Sequence, residues 1–315
     1  MSRTHDRCFF ITSLALALLA VALVLLLRPT SAPYLDLLRQ GDEHASRAER
    51  TAAVAAYRQA ASLRPRDPDL YLRLAQVYLD WGRAEEALAA LSEAARLGAG
   101  QADGASLERL WAAVHAVRAD WPAVVKHAQR LLALVPTDTS DASAARHMLA
   151  RAYVELQEWD LARAEYETLL RADPTNTLAH ERLGALMLGE DPMAVAHLSA
   201  AGTDLADRLL AALWEAEATA GAVDDPAYAS ALLGQVFLEE QQWALAARQF
   251  ERALAHNPDY PDAHAYVGHA LDQMGHPGEA RTHLRRAVTL APDSAVAHTF
   301  LAVSYTHLRA HETVR

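Results

Sequence analysis

The feature that most constrains this chain is self-similarity at a spacing of 34 residues. Leu233, Gly234, Phe237, Ala246, Phe250, Ala253 and Pro258 are matched in place by Val267, Gly268, Leu271, Ala280, Leu284, Ala287 and Pro292. A period of this length marks one supersecondary unit that cannot bury its apolar face alone and must stack on its neighbours. Within each copy the first three positions share one face of one helix, and the next three share one face of the next. The glycine and alanine are small, so the two backbones can approach. The larger residues fill the space beside them, and the proline, which cannot continue a helix, closes the unit. The pattern predicts antiparallel helical hairpins in series.

The register extends backward. The segment from Ser143 carries Leu149, Ala150, Tyr153, Ala162, Tyr166, Leu169 and Pro174. The segment from Pro68 carries Leu74, Ala75, Tyr78, Ala87, Leu91 and Ala94, with Ala99 in place of the proline. The first copy, from Tyr34, keeps Gly41, Ala53, Tyr57, Ala60 and Pro65 but has Gln40 and His44 where apolar residues are expected, as suits a terminal unit. Another copy begins with Ala302. Two stretches depart from the pattern. Trp111 to Pro136 keeps helical periodicity and the closing proline but spaces its alanines poorly, and reads as a degenerate hairpin. A good copy opens at Leu183, Gly184 and Met187, then passes through GEDP into a short helix and an extra one near Asp204 to Ala220. The next regular copy therefore starts 50 residues later, which reads as an insertion or a worn repeat.

The leucine-glycine pair, the aromatic three on, the later alanine, the aromatic four after it and the final proline resemble the tetratricopeptide repeat, and the resemblance covers nearly everything from Tyr34 to Ala302. It implies an all-α fold, an α-solenoid of stacked antiparallel hairpins wound into a superhelix over 34–302, with degenerate stretches near 100–140 and 190–225. It also implies a concave groove, lined by the first helix of each hairpin, that binds a peptide or helix of a partner protein. Carried over in register, the groove would be lined by Arg73, Gln76, Asp80, His147, Arg151, Glu155, Gln235, Glu239, Tyr266, His269 and Asp272. The family's carboxylate clamp uses Lys and Asn on the first helix; Leu38 and Asp42 stand there, which argues against capture of an acidic chaperone tail.

Ahead of the repeats, Phe9 to Leu27 is uncharged and apolar, long enough as a helix to match a hydrocarbon core of about 30 Å. Arg3 and Arg7 precede it, so residues 1–8 read as a cytoplasmic leader, 9–27 as one transmembrane signal anchor and 28–33 as a linker, with the repeats outside the cytoplasm. Arg28 works against that orientation. A cleaved signal peptide is the rival; its apolar region is shorter, and the weak site at Thr30, Ser31 and Ala32 is followed directly by Pro33. The expected setting is the inner membrane of a bacterium. Cys8 is the only cysteine, so no disulfide or CxxC pair exists within the chain; a palmitoylated thiol or an inert small residue are its two readings.

A formal charge of -11 without a basic block disfavours nucleic acid as a partner. Of the 15 histidines, only His307 and His311 have the four-residue spacing that two zinc ligands take on a helix. Both lie in the stretch from Val303, VSYTHLRAHETVR, which resembles the in-frame translation of a transposon-end sequencing adapter. Residues 303–315 are therefore expected to interrupt a truncated repeat. His264, His269, His276, His283 and His298 are read as falling on different hairpin faces, and no cofactor or metal is expected. The acidic pairs Glu85-Glu86, Asp224-Asp225 and Glu239-Glu240 sit at turns or helix ends, where solvation or capping accounts for them. Trp81, Trp121, Trp159 and Trp243 precede second helices and read as corner packing. No nucleophile elbow, phosphate loop or dinucleotide fingerprint occurs. The function expected is a membrane-anchored, non-enzymatic scaffold such as an adaptor or assembly factor. Its alternatives are a docking or regulatory module of a larger enzyme with a missing C-terminal domain, and a structural role through self-association.

Overall fold

One left-handed residue ends the first helix of six hairpins: Ala48, Gly82, Ala119, Gln157, Gln241 and Gly275, with φ of 58°, 76°, 55°, 60°, 54° and 82°. In each case the next residue's N–H reaches back five residues to a helix carbonyl, as from Arg83 to Tyr78 at 2.8 Å and from Gln242 to Phe237 at 2.9 Å. This closure satisfies carbonyls that the helix end leaves without partners and turns the chain through a tight corner. The second helix then begins within two residues.

The computed structural model describes residues 31–220 and 226–313, and among them the regular structure is entirely helical. The membrane segment expected at 9–27 lies outside the described residues, as do Cys8 and the pair Asp224-Asp225. No helix among the described residues is long and apolar enough to cross a membrane.

The chain divides into two units at Leu110 and Trp111. In the first, α1 (Ser31–Ser46) pairs with α2 (Arg50–Leu63) and α3 (Pro68–Asp80) with α4 (Ala84–Arg96), while α2 packs on α3. The short α5 (Ala99–Ala102) comes after α4, and α6 (Gly104–Val117) runs across the boundary. Tyr57, Leu70, Leu91 and the alanines at 53, 60, 75 and 94 are buried between these helices. A Cβ on Gly41 would lie 2.3 Å from the Tyr57 ring, so the first copy needs its glycine for the approach of α1 to α2.

In the second unit, α7 (Trp121–Leu134) packs on α8 (Ser140–Glu155), which pairs with α9 (Trp159–Ala172). Then come α10 (Thr177–Met187), α11 (Met193–Ala201) and α12 (Asp204–Ala220). Beyond these stand the hairpins α13 (Pro226–Glu239) with α14 (Trp243–His256) and α15 (Pro261–Gln273) with α16 (Pro277–Leu290), and finally α17 (Ala295–Thr313). The expected close approaches are present: a Cβ on Gly234 would lie 2.8 Å from Phe250, and one on Gly268 would lie 2.6 Å from Leu284. Gly184 makes the same approach to Leu198 on α11, so α10 and α11 form a hairpin and α12 is the additional helix. Helix α17 continues through the stretch that resembles adapter translation, and Ser304 within it is buried.

Entry into the first helices is fixed by side-chain caps. Asp67, Thr139 and Asn176 accept the N–H of Asp69, Ala142 and Ala179. The residue six after the closing proline adds a tie: His180, His264 and His298 donate from Nε2 to the carbonyls of Pro174, Pro258 and Pro292 at 3.0, 3.0 and 2.8 Å, and the Tyr71 hydroxyl donates to Pro65 at 3.0 Å.

Candidate binding cleft

Helix α8 carries His147, Arg151 and Glu155 at successive four-residue steps, which places them on one face. Of the expected groove residues, these three come together in a cleft of about 600 Å³ within the second unit. Facing them are Leu178, Glu181 and Arg182 of α10, Leu205 of α12 and the turn from Glu240 to Gln242 with Leu245 beyond it. The extra helix explains the enclosure. It sets α13 and α14 back so that α14 touches α8, bringing a hairpin turn over the face that α8 presents.

The chemistry of the walls is mixed. His147 Nε2 lies 3.3 Å from Asn176 Nδ2, and burial, then the nearby Arg182 charge, lowers its pKa. Tyr166 closes the floor; burial pushes its phenol up to about 12. Glu181 is buried but served, accepting from Thr203 Oγ1 at 2.6 Å and facing Arg182 Nε at 3.3 Å. Arg151 directs its guanidinium over the Trp121 ring at 5.4 Å. Glu155 differs: burial raises its carboxyl above the usual range, Arg151 offsets this only in part, and among the described residues no side chain or amide donates to it.

The other expected residues are engaged elsewhere. On α3, Arg73 donates to Asp42 at 2.7 and 2.6 Å and pairs with Asp69 at 3.0 Å, while Gln76 donates to Asp80 at 2.8 Å. Burial alone would lower the Arg73 pKa, but its bonds to Asp42 and Asp69 outweigh that and raise it. Asp42, at the clamp position, also accepts from the Tyr57 hydroxyl at 2.6 Å, so it ties the first two hairpins together. Gln235 is exposed on α13, and Glu239 joins Glu240 in gripping Arg208 of α12. Tyr266 stacks on Phe250 at 5.0 Å, and His269 stacks on Phe300 at 4.2 Å with its edge toward Trp243. These two belong to an aromatic cluster of α14, α15 and α17. Asp272 lies on α15 beyond them.

Two readings of the sequence are corrected. His264 and His283 do not point to different faces, because the α15–α16 turn folds their Nδ1 atoms to within 3.1 Å. His180 and His197 repeat the arrangement at 2.9 Å across α10 and α11. Among the described residues no three His, Cys, Asp or Glu side chains are grouped to hold a metal ion. The acidic pair Glu239-Glu240 is a clamp on Arg208 and not merely a solvated corner. Sequence reasoning also missed Glu181, Arg182 and Tyr166 as cleft residues. Their signal was the inserted helix, which reshapes the groove at this point.

Profiles described as tetratricopeptide repeat match residues 237–303, 147–212 and 68–97, and one described as TPR repeat matches 41–82. Among solved structures, the chain is similar to a tetratricopeptide repeat protein from Parabacteroides merdae, at 12% identity over 87% of this chain and 99% of that one, with a TM-score of 0.48. It is also similar to MamA, at 21% identity over 54% and 90%, with a TM-score of 0.46. The protein titled Pseudomonas aeruginosa pilF is similar at 10% identity over 87% and 99%, with a TM-score of 0.43. Comparison with curated protein sequences finds no match.

Proposed function

The chain belongs to the tetratricopeptide repeat family, and from that premise we propose that it is a non-enzymatic scaffold that seats a segment of a partner protein in the cleft beside α8. The observation that carries this reading is the cleft itself. Its volume is in the range of sites that enclose a ligand, its walls alternate leucines with charged groups, and one of those groups lacks an internal partner. The repeat architecture supports it, since stacked hairpins offer a preformed surface and a bound segment loses little by their reorganisation.

The proposal extends to setting. The apolar segment 9–27 anchors the chain once in a bacterial inner membrane, the basic leader stays in the cytoplasm, and the repeats act outside it as an adaptor or assembly factor. Nucleic acid has no place in this reading, because the net charge of -11 opposes it.

A photo-crosslinking residue at Leu178, exposed on the cleft wall, tests the site in the full membrane-bound chain; Leu161, exposed on α9 outside the cleft, is the comparison. The expected result is a discrete protein adduct from position 178 and none from 161. Equal adducts from both, or none from either, overturn the proposal. Reporter fusions after residue 220 that are active only in the cytoplasm would overturn the orientation.

A further inference from the structure

Glu155 is the last residue of α8, so its carboxylate stands at the negative end of that helix. It lines the cleft, and among the described residues it has neither a hydrogen-bond donor nor an ion-pair partner. The remaining acids of the cleft are accounted for: Glu181 by Thr203 and Arg182, Glu240 by Arg208. Of the two cleft arginines, Arg182 faces Glu181 and Arg151 lies over Trp121. Arg151 is exposed and lies over a ring, so the half-buried charge of the cleft without a hydrogen-bonding partner among the described residues is the Glu155 carboxylate. That carboxylate receives no donor from the described residues, so a cationic donor from outside would meet it in a partly desolvated setting, where a charge-assisted hydrogen bond is strong. The same cleft offers Leu178, Leu205 and Leu245, against which the methylene stem of a long basic side chain can lie while its head reaches the acid.

We propose that the cleft selects a lysine or arginine of an extended partner segment, the cation meeting the Glu155 carboxylate and the stem lying along the leucines of the same cleft. This rests on the scaffold reading above and narrows it to a basic, part-apolar peptide. Arg151 sets the limit on charge: it sits one turn before Glu155, so a segment with two adjacent cations is disfavoured relative to one cation flanked by apolar residues.

The test uses short random peptides displayed on phage, selected against the full chain in detergent micelles, with the best binders then synthesised. Binders carrying one lysine or arginine are expected. Changing that residue to glutamine, or Glu155→Gln in the protein, should each weaken binding about tenfold or more, and the two changes together should cost little more than either alone. Glu155→Asp should keep part of the preference, and Arg151→Gln should strengthen the basic peptide. Thermal unfolding of each variant separates loss of binding from loss of fold. Binders without a basic residue, or binders indifferent to Glu155→Gln, overturn the inference and leave the scaffold reading standing. Acidic binders weakened by Arg151→Gln or Arg182→Gln likewise overturn it. Failure to select any binder contradicts the scaffold reading as well.

Discussion

Arg248 of α14 lies over the ring of Trp159, the first residue of α9, with its guanidinium carbon 4.4 Å from the ring centroid. Trp121 and Trp243 also open second helices, and each is met by a first-helix residue of the following hairpin, Arg151 and His269. At Trp159 the following first helix, α10, stops short at Met187, and an arginine from further along the chain takes the place. Arg248 also donates to the Leu186 carbonyl at 2.9 Å and to Glu190 at 2.6 Å, while Gln249 and Arg252 donate to Leu188 at 3.2 and 2.7 Å. The loop after α10 is thus bound by three side chains of α14.

Arg248→Ala is expected to destabilise the second unit by about 3 kcal/mol, since it strips a carbonyl, a carboxylate and a ring of one shared partner. Arg248→Lys should recover only a small part, because an ammonium cannot span both acceptors in the plane of a fork. Urea unfolding of the variants checks this. An unfolding midpoint unchanged in Arg248→Ala would mean that Gln249, Arg252 and packing hold the loop without Arg248.

The left-handed corners make a separate expectation. Four of the six are occupied by residues with a Cβ, and that conformation costs an L residue about 1 kcal/mol relative to glycine. Ala119→Gly and Ala48→Gly should each raise stability by about that amount. Gly82→Ala and Gly275→Ala should lower it similarly, although a Cβ at either site meets open space. Paired measurements of thermal unfolding decide whether backbone conformation, and not crowding, governs these positions.

The histidine pairs predict how stability depends on pH. Nε2 of His264 donates to Pro258, so its Nδ1 is the acceptor and His283 must donate from Nδ1; His180 and His197 obey the same logic. A second proton would place two N–H groups face to face. Burial lowers the pKa of His283 and His197, and the partner histidine lowers it further; Glu279 opposes this at His283 and Asp191 at His197. His115, His147 and His269 are also lowered, chiefly by burial. With folded values below the unfolded one near 6.5, the unfolded chain binds more protons, so the stabilisation is complete above about pH 6.5 and is lost as pH falls through the folded values. His283→Gln and His197→Gln should flatten that loss in a series of melting curves. A melting temperature that does not fall between neutral and mildly acidic pH would contradict the lowered histidine pKa values.

Distance along the chain governs how much of the fold is legible in the sequence. The helix pairs could be read because Gly234 and Phe250, or Gly268 and Leu284, recur at a fixed spacing set by one hairpin. The inserted helix could be located near Asp204 to Ala220, since it breaks the period. Its consequence could not, because the contact of Arg248 with Trp159 depends on how far α12 displaces the hairpin of α13 and α14. The histidine pairs escaped for a different reason: a search for four-residue spacing finds ligands on one helix, while His264 and His283 meet across a corner. The cleft was half legible, with α8 supplying its expected face and the opposite wall coming from α10, α12 and a turn that the register alone does not bring near.

Hydrogen exchange of the full chain with and without a selected peptide tests the central claim most directly. The account predicts added protection in residues 147–155 and at the turn 240–245, the two sides of the cleft. Protection confined to the second helices α9 and α14, or no change along α8, would contradict it.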